Sequence, residues 1–292
     1  MPASNVDLDR LLDEIVTLPS APTVLLKVTQ MVDNPSVSLR EVAEVISADP
    51  PISMKILRLV NSAYYGVRHR VASIEHAISL LGLKVVKNLV LTATVFHTFS
   101  SIRSEEGLLF EREQFWLHCV STGMIARTLA QSVPESSPLD AEELFAAGLL
   151  HDVGKIILLQ HLHKKFEQAL KKSAVEKIPL HECELATIGV DHARVGGKLA
   201  EKWKLPGELA NAICHHHPLP DEDTFPHAAA IVNLADFICY AKELGKGGPA
   251  GSVRFVTEAW ESSVLEKGNI PAIMGKLRDS ARLASELLSM VR

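Results

Sequence analysis

From Leu8 to Met290 the chain repeats one local pattern. A short run carries apolar residues three and four positions apart, and a stop built from proline, glycine or a capping side chain follows. Only a helix gathers residues at that spacing onto one face, so the pattern favours a core made of helices. Leu8 to Val16 ends before Leu18-Pro19, and Thr23 to Val32 is stopped by Asp33-Asn34-Pro35. Ser38-Leu39-Arg40-Glu41 has the order of a capping box and opens a helix through Val42, Val45 and Ile46. Asp49-Pro50-Pro51 closes that helix and starts the next, because proline is tolerated in a first turn. Asn61 to Gly66 marks its exit. Ile74 to Leu81 is closed by Gly82, and Leu83 to Phe99 is apolar on most faces, as a central helix would be. Val67 to Ser73 is the one weak strand candidate in this half.

A polar, weakly periodic stretch between Ser100 and Arg112 marks a boundary. The expected organisation is an N-terminal array of short helices over residues 1–106 and a second helical domain with a C-terminal extension over 107–292. The fold class is therefore all-α. Phe110 to Ala130 reads as a helix. Asp140 is placed to cap another that carries Leu144 to Leu150. Val253 to Lys267 and Ile270 to Met290 read as helices near the end. Leu244 to Ser252 holds four glycines and reads as a mobile connection; it lacks the order of a nucleotide P-loop.

Hydrophobic residues make up 47% of the 292, with 5% aromatic, which supports a well-filled aliphatic core. A net charge of -5 gives polyanion binding no global electrostatic help, so no nucleic-acid partner is expected. The four cysteines are widely spaced, which favours reduced thiols. No run is apolar for long enough to span a membrane, and the acidic N-terminus has no signal-peptide pattern. A cytoplasmic location is the expectation.

Against this apolar background stand His118, His151-Asp152, His192, His215-His216-His217 and Asp236. A charged residue beside a fully apolar helix needs compensation if it is buried, and a divalent ion supplies it. Imidazole nitrogen with carboxylate oxygen suits iron, manganese or zinc, with nickel or magnesium as alternatives. Successive helix positions differ by about 100°, so neighbouring histidines diverge and can serve two adjacent ions. Each residue also has a plain structural alternative. His118 beside Trp116 can be a core histidine, Asp152 can cap a helix or pair with Lys155, His192 can sit at the surface, and Asp236 can pair with a nearby base. His161, His163 and His181 read as surface residues beside charged neighbours. His227, His69, His76 and His97 are isolated.

Longer segments carry a resemblance. Leu18-Pro19-Ser20-Ala21-Pro22, Ile46 to Pro50, Ile56 to Gly66, Ile74 to Gly82, Phe115-Trp116-Leu117-His118, Gly148 to Lys155, Gly189 to Gly196 and Trp203 to Pro206 together closely resemble the HDOD family. These are the HD-related output domains of bacterial signalling proteins. The resemblance covers most of residues 18 to 240 and implies an HD-domain-like helical core in the second half. Its relatives include HD and HD-GYP phosphodiesterases. That relationship implies metal ligation by His118, His151, Asp152, His192, His216, His217 and Asp236, with Lys155 at the position of a phosphate-contacting lysine. Two departures stand out. Gln114 takes the place of a glutamate that binds metal in some multimetal relatives, and Pro218-Leu219-Pro220 follows the histidines where an HD-GYP enzyme carries glutamate and the GYP segment.

Three functions compete. A signalling output module would act through protein partners, with an inherited metal site and little or no catalysis; no receiver, GGDEF or EAL segment is evident. A phosphohydrolase would use one or two ions, with Asp152 and Lys155 in its chemistry, on a nucleotide or cyclic dinucleotide. A structural metal would couple binding to folding. Gln114, the altered segment after His217 and the helical first third favour the signalling module.

Overall fold

The computed structural model describes residues 18–32, 34–99, 110–134, 139–217, 226–249 and 253–291. Among the described residues there are helices and turns but no strand, so the protein is all-α. Leu8 to Val16, the boundary between residues 106 and 107, and Pro218-Leu219-Pro220 lie outside the described residues.

The first five helices are α1 (Thr23–Val32), α2 (Leu39–Ser47), α3 (Pro50–Val60), α4 (Ile74–Leu81) and α5 (Leu83–Thr98). The capping box opens α2: Glu41 N donates to Ser38 Oγ at 3.2 Å, and Ser38 N donates to Glu41 Oε2 at 2.8 Å. Asp49 Oδ1 accepts from Ile52 N at 3.1 Å, with proline in the first turn of α3. Val67 to Ser73 is not a strand. Val71 N donates to Asn61 Oδ1 and Asn61 Nδ2 donates to Val71 O, at 2.8 and 2.9 Å. One side chain thus takes both bonds that a neighbouring strand would supply. Gly82, at φ +85°, turns α4 into α5. α5 packs against α1, α3 and α4 and buries Val86, Leu89, Val90, Ala93, Val95 and Phe96, which makes it the central helix of this group.

The chain continues through α6 (Arg112–Ala130), α7 (Ala141–Leu150), α8 (Val153–His161), α9 (His163–Glu176), α10 (Leu180–Thr187), α11 (His192–Lys202), α12 (Gly207–Cys214) and α13 (His227–Ala241). Asp140 caps α7 by accepting from Glu142 N and Glu143 N. Every residue of α7 from Leu144 to Leu150 is buried. At about 1.5–3 kcal/mol for each large apolar side chain, that burial fixes the helix in place. α7 packs on α6 with almost no gap, because a Cβ on Gly148 would lie 2.8 Å from Gly123 Cα. α8 meets α11 as closely; a Cβ on Gly154 would overlap the carbonyl oxygen of His192. These two contacts bring α6, the α7–α8 junction and the start of α11 to one place.

Val253 to Lys267 is not a single helix. Only α14 (Thr257–Ser262) forms, because Val264 adopts a left-handed φ of +54°, which a helix cannot accommodate. A 3-10 turn at Leu277–Asp279 likewise divides the expected Ile270 to Met290 helix into α15 (Ile270–Lys276) and α16 (Ser280–Val291). The described residues of Ser20–Ser101 form a compact unit together with those of Lys276–Arg292. Within it, Ala63 N donates to Glu286 Oε1 of α16 at 2.9 Å. The other unit runs to Gly275 and takes in Leu18 and Pro19. Lys202 Nζ and Trp203 Nε1 hold their two carbonyls at 2.6 and 3.0 Å.

Candidate metal centre

All the proposed ligands belong to the second unit, and each is delivered by a helix end or a buried helix face. His118 lies on α6. His151 ends α7, and Asp152 stands between α7 and α8 with no capping bond from its side chain. The Asp152 carboxylate is therefore free to face inward. His192 begins α11, Asp236 sits on α13, and His216 and His217 follow α12. Asn233 Nδ2 donates to His216 O at 2.8 Å, which ties the turn after α12 to the helix bearing Asp236.

The donor atoms fall into two sets. His118, His151 and Asp152 offer atoms within 4.8 Å of one another, and so do His192, His216 and His217. Asp152 joins the sets. Its Oδ2 lies 3.5 Å from His118 Nε2 and 3.3 Å from His151 Nε2; its Oδ1 lies 3.2 Å from His192 Nε2 and 4.0 Å from His216 Nε2. Asp236 Oδ1 is 3.0 Å from His118 Nε2, and His217 Nε2 is 3.0 Å from His192 Nε2. Bonds of about 2.1 Å to a central ion place neighbouring donors roughly 3.0–3.4 Å apart, so the shorter spacings match the edges of a coordination shell. Asp152 Oδ1, Asp236 Oδ1 and His216 Nε2 are buried without a hydrogen-bond partner. Such atoms are costly unless something satisfies them, and a divalent cation would satisfy all three. The residues present fit a metal.

The outer bonds of the imidazoles point the same way. His151 Nδ1 pairs with Gly148 O and His216 Nδ1 with Ile213 O, both at 2.7 Å, while His192 Nδ1 pairs with Glu184 Oε2 at 2.6 Å. His118 Nδ1 meets Cys239 Sγ at 3.3 Å. With each Nδ1 donating outward, each Nε2 keeps its lone pair for the centre. Lys155 Nζ donates to Asp152 Oδ2 at 2.6 Å and to Gly247 O at 2.8 Å.

Electrostatics follow from burial opposed by close charges. Burial disfavours the Asp152 carboxylate, yet His151 and Lys155 hold it well below its usual range. Burial lowers His192, but the Glu184 carboxylate outweighs it and the ring is pushed up to about 9. Burial also opposes a charged His118, and Cys239, Asp152 and Asp236 raise it well above the usual value. Burial and neighbouring imidazoles keep His216 and His217 well below it.

Three contributors escaped the sequence reading. Glu184 accepts from both the backbone N and Nδ1 of His192, at 2.8 and 2.6 Å. Cys239 backs His118. His181, expected at the surface, is half-buried and stacked on His217, with ring centroids 4.1 Å apart and planes at 18°. Burial, with His192, Lys155 and Arg254 nearby, lowers its pKa to about 3. The signal was the spacing of His181 and Glu184, three apart on α10 and hence on one face. His215 pairs with Asn211 O and His227 with Ser262 O, both away from the donor sets. Leu244 to Pro249 is not a loose connection; Lys246 N donates to Gln114 O at 2.9 Å, and the segment lies against the ligands. No helix among the described residues is long and apolar enough to cross a membrane.

A family model described as HDOD domain matches residues 18–219. An HDOD domain protein of unknown function from Geobacter sulfurreducens superposes with a TM-score of 0.79 at 24% identity, covering 97% of this chain and 96% of that one. A candidate signal transduction protein of Marinobacter aquaeolei VT8 superposes with a TM-score of 0.76 at 19% identity, covering 98% of this chain and 64% of that one. An uncharacterized protein of Treponema pallidum (strain Nichols) is 29% identical over 208 residues, which span 71% of this chain but only 39% of that relative.

Proposed function

We propose, given that the chain belongs to the HDOD domain family, that it is a regulatory module of a bacterial signalling pathway, built around a retained divalent metal centre with little or no turnover. The observation that carries the metal is the Asp152 bridge between two sets of inward-facing imidazoles. Iron or manganese is favoured, in one or two ions, with zinc, nickel or magnesium as alternatives. When bound, such ions acidify a water molecule and polarise a phosphoryl oxygen. Gln114 in place of a carboxylate argues for reduced turnover. The first unit has helices but none of these ligands, which suits a surface for protein partners, and the Marinobacter relative's name points to signalling as well.

A second reading, a phosphohydrolase acting on a nucleotide or cyclic dinucleotide, is favoured by Lys155. Its ammonium is buried beside Asp152, and burial lowers its pKa less than Asp152 and Asp236 raise it. A lysine held charged there can offset phosphate charge. The experiment is elemental analysis of the full chain purified without chelator, with turnover measured on bis-p-nitrophenyl phosphate and cyclic dinucleotides. Stoichiometric metal with no turnover is the expected result. Absence of metal overturns the centre, and robust turnover lost in Asp152→Ala overturns the regulatory reading.

A further inference from the structure

Beyond α13 the backbone doubles back over the proposed ligands. Leu244 N donates to Cys239 O at 3.0 Å, and Cys239 Sγ donates to Leu244 O at 3.1 Å. The same sulfur faces His118 Nδ1. Lys246 N then donates to Gln114 O at 2.9 Å, and Lys246 Nζ pairs with Glu111 Oε1 at 3.1 Å on the exposed side. These bonds press the next residue onto the centre. A Cβ on Gly247 would stand 2.7 Å from Asp152 Oδ2 and 2.7 Å from His118 Nε2. Real Cβ atoms do not come that close, and neither neighbour is free to retreat. His118 is held by Cys239, and Asp152 by Lys155. Gly247 does not have a left-handed φ, so contact alone excludes a side chain there.

The Gly247 carbonyl takes the second bond of the Lys155 ammonium. A phosphate oxygen entering beside Asp152 would find two of the three N–H bonds of that ammonium already directed at Asp152 and Gly247. The carbonyl oxygen therefore stands as a neutral substitute for an anionic one. A charged acceptor makes a stronger hydrogen bond to an ammonium than a carbonyl does. An oxyanion can thus displace the strap, at the expense of its bonds to Gln114 and Glu111.

We propose that Leu244–Gly248 is an internal competitor for the oxyanion position of this centre: closed, it shields His118 and occupies Lys155; displaced, it admits a phosphate-bearing ligand. The proposal rests on the metal reading, and its test separates the two. In the full chain loaded with manganese, inorganic phosphate binding is measured by calorimetry for the native sequence, Gly247→Ala and Lys246→Ala. Gly247→Ala forces the strap outward, and Lys246→Ala removes one anchor without adding bulk. If the strap is closed most of the time, apparent phosphate affinity rises at least about tenfold in Gly247→Ala and by less in Lys246→Ala.

A second arm needs no metal. In the chelator-treated full chain, carbethoxylation of His118, read by peptide mass spectrometry, should be slow in the native sequence and at least about tenfold faster in Gly247→Ala. Equal phosphate affinities together with equal His118 reactivity overturn the strap, and so does loss of manganese from Gly247→Ala while its helical content is unchanged. A native chain that holds no manganese but retains the reactivity difference overturns the metal reading and supports the strap. If Gly247→Ala does not fold, Lys246→Ala decides: raised affinity supports the proposal, and unchanged affinity and reactivity overturn it.

Discussion

Asp152 is the residue on which both donor sets depend, because its two oxygens face different imidazoles. Asp152→Ala is expected to remove metal from both sets, read as metal content per chain. Glu184 is a finer probe. It touches no other proposed ligand, yet it fixes the tautomer and orientation of His192. Glu184→Gln keeps the size and loses the charge, and metal affinity should fall by roughly 10- to 100-fold in competition with a chromogenic chelator. Protonation gives a third expectation. In the metal-free chain His192 is held charged, with a pKa of about 9, and His118 is raised as well. Ligation requires both to be neutral. Metal binding near neutral pH should therefore release protons, and affinity should climb as pH rises toward about 9, as calorimetry in buffers of different ionisation enthalpy would record.

Helices meet in this protein where glycine allows it, and those meetings set the geometry of the centre. Gly148 against Gly123 draws α6 and α7 together so that His118 Nε2 and His151 Nε2 come within 3.3 Å. Gly148→Ala should destabilise the chain by about 1–3 kcal/mol through overpacking, measured by urea unfolding, and should weaken metal binding by separating the two rings. The capping box of α2 offers a contrast, since it is exposed and belongs to the unit that carries none of the ligands. Ser38→Ala should cost about 0.5–2 kcal/mol and leave metal content unchanged. If Ser38→Ala lowered metal content, the centre would depend on the first unit in a way that ligand geometry does not require.

Over the whole molecule, stability carries opposing pH dependences. His181, with a folded pKa of about 3, and His216 and His217, also lowered, are kept neutral by burial. Unfolded histidine titrates near 6.5. The contribution of His181 is present above that pH and is lost as pH falls toward about 3, and those of His216 and His217 have the same sign, because the unfolded chain takes up protons that the folded chain refuses. His192 has the opposite sign: its contribution is full below about 6.5 and is lost as pH rises through about 9. The metal-free chain should therefore melt at lower temperature toward both extremes. Added metal should raise the melting temperature most on the alkaline side, where His192 gives up its proton. A ligand at a hundred times its Kd adds about 2.7 kcal/mol.

Local chemistry in the sequence determined the helices. Periodicity, the Ser38-Glu41 box, Asp49 before two prolines and Gly82 act within a few residues, so they were legible without a fold. Residue types at the centre were legible too, because histidine and aspartate stand out in apolar runs and match a known pattern. Tertiary structure alone decided what surrounds them. Glu184 reaches His192 across the α10–α11 turn, and Cys239 backs a histidine 121 residues away. Glycines read as slack became the strap over Lys155. The return of α16 to the first unit likewise has no mark in its own apolar spacing. The reason is common to all of these. A cap or a period is satisfied by neighbours in sequence, whereas a buried donor atom is satisfied by whichever group packing brings to it.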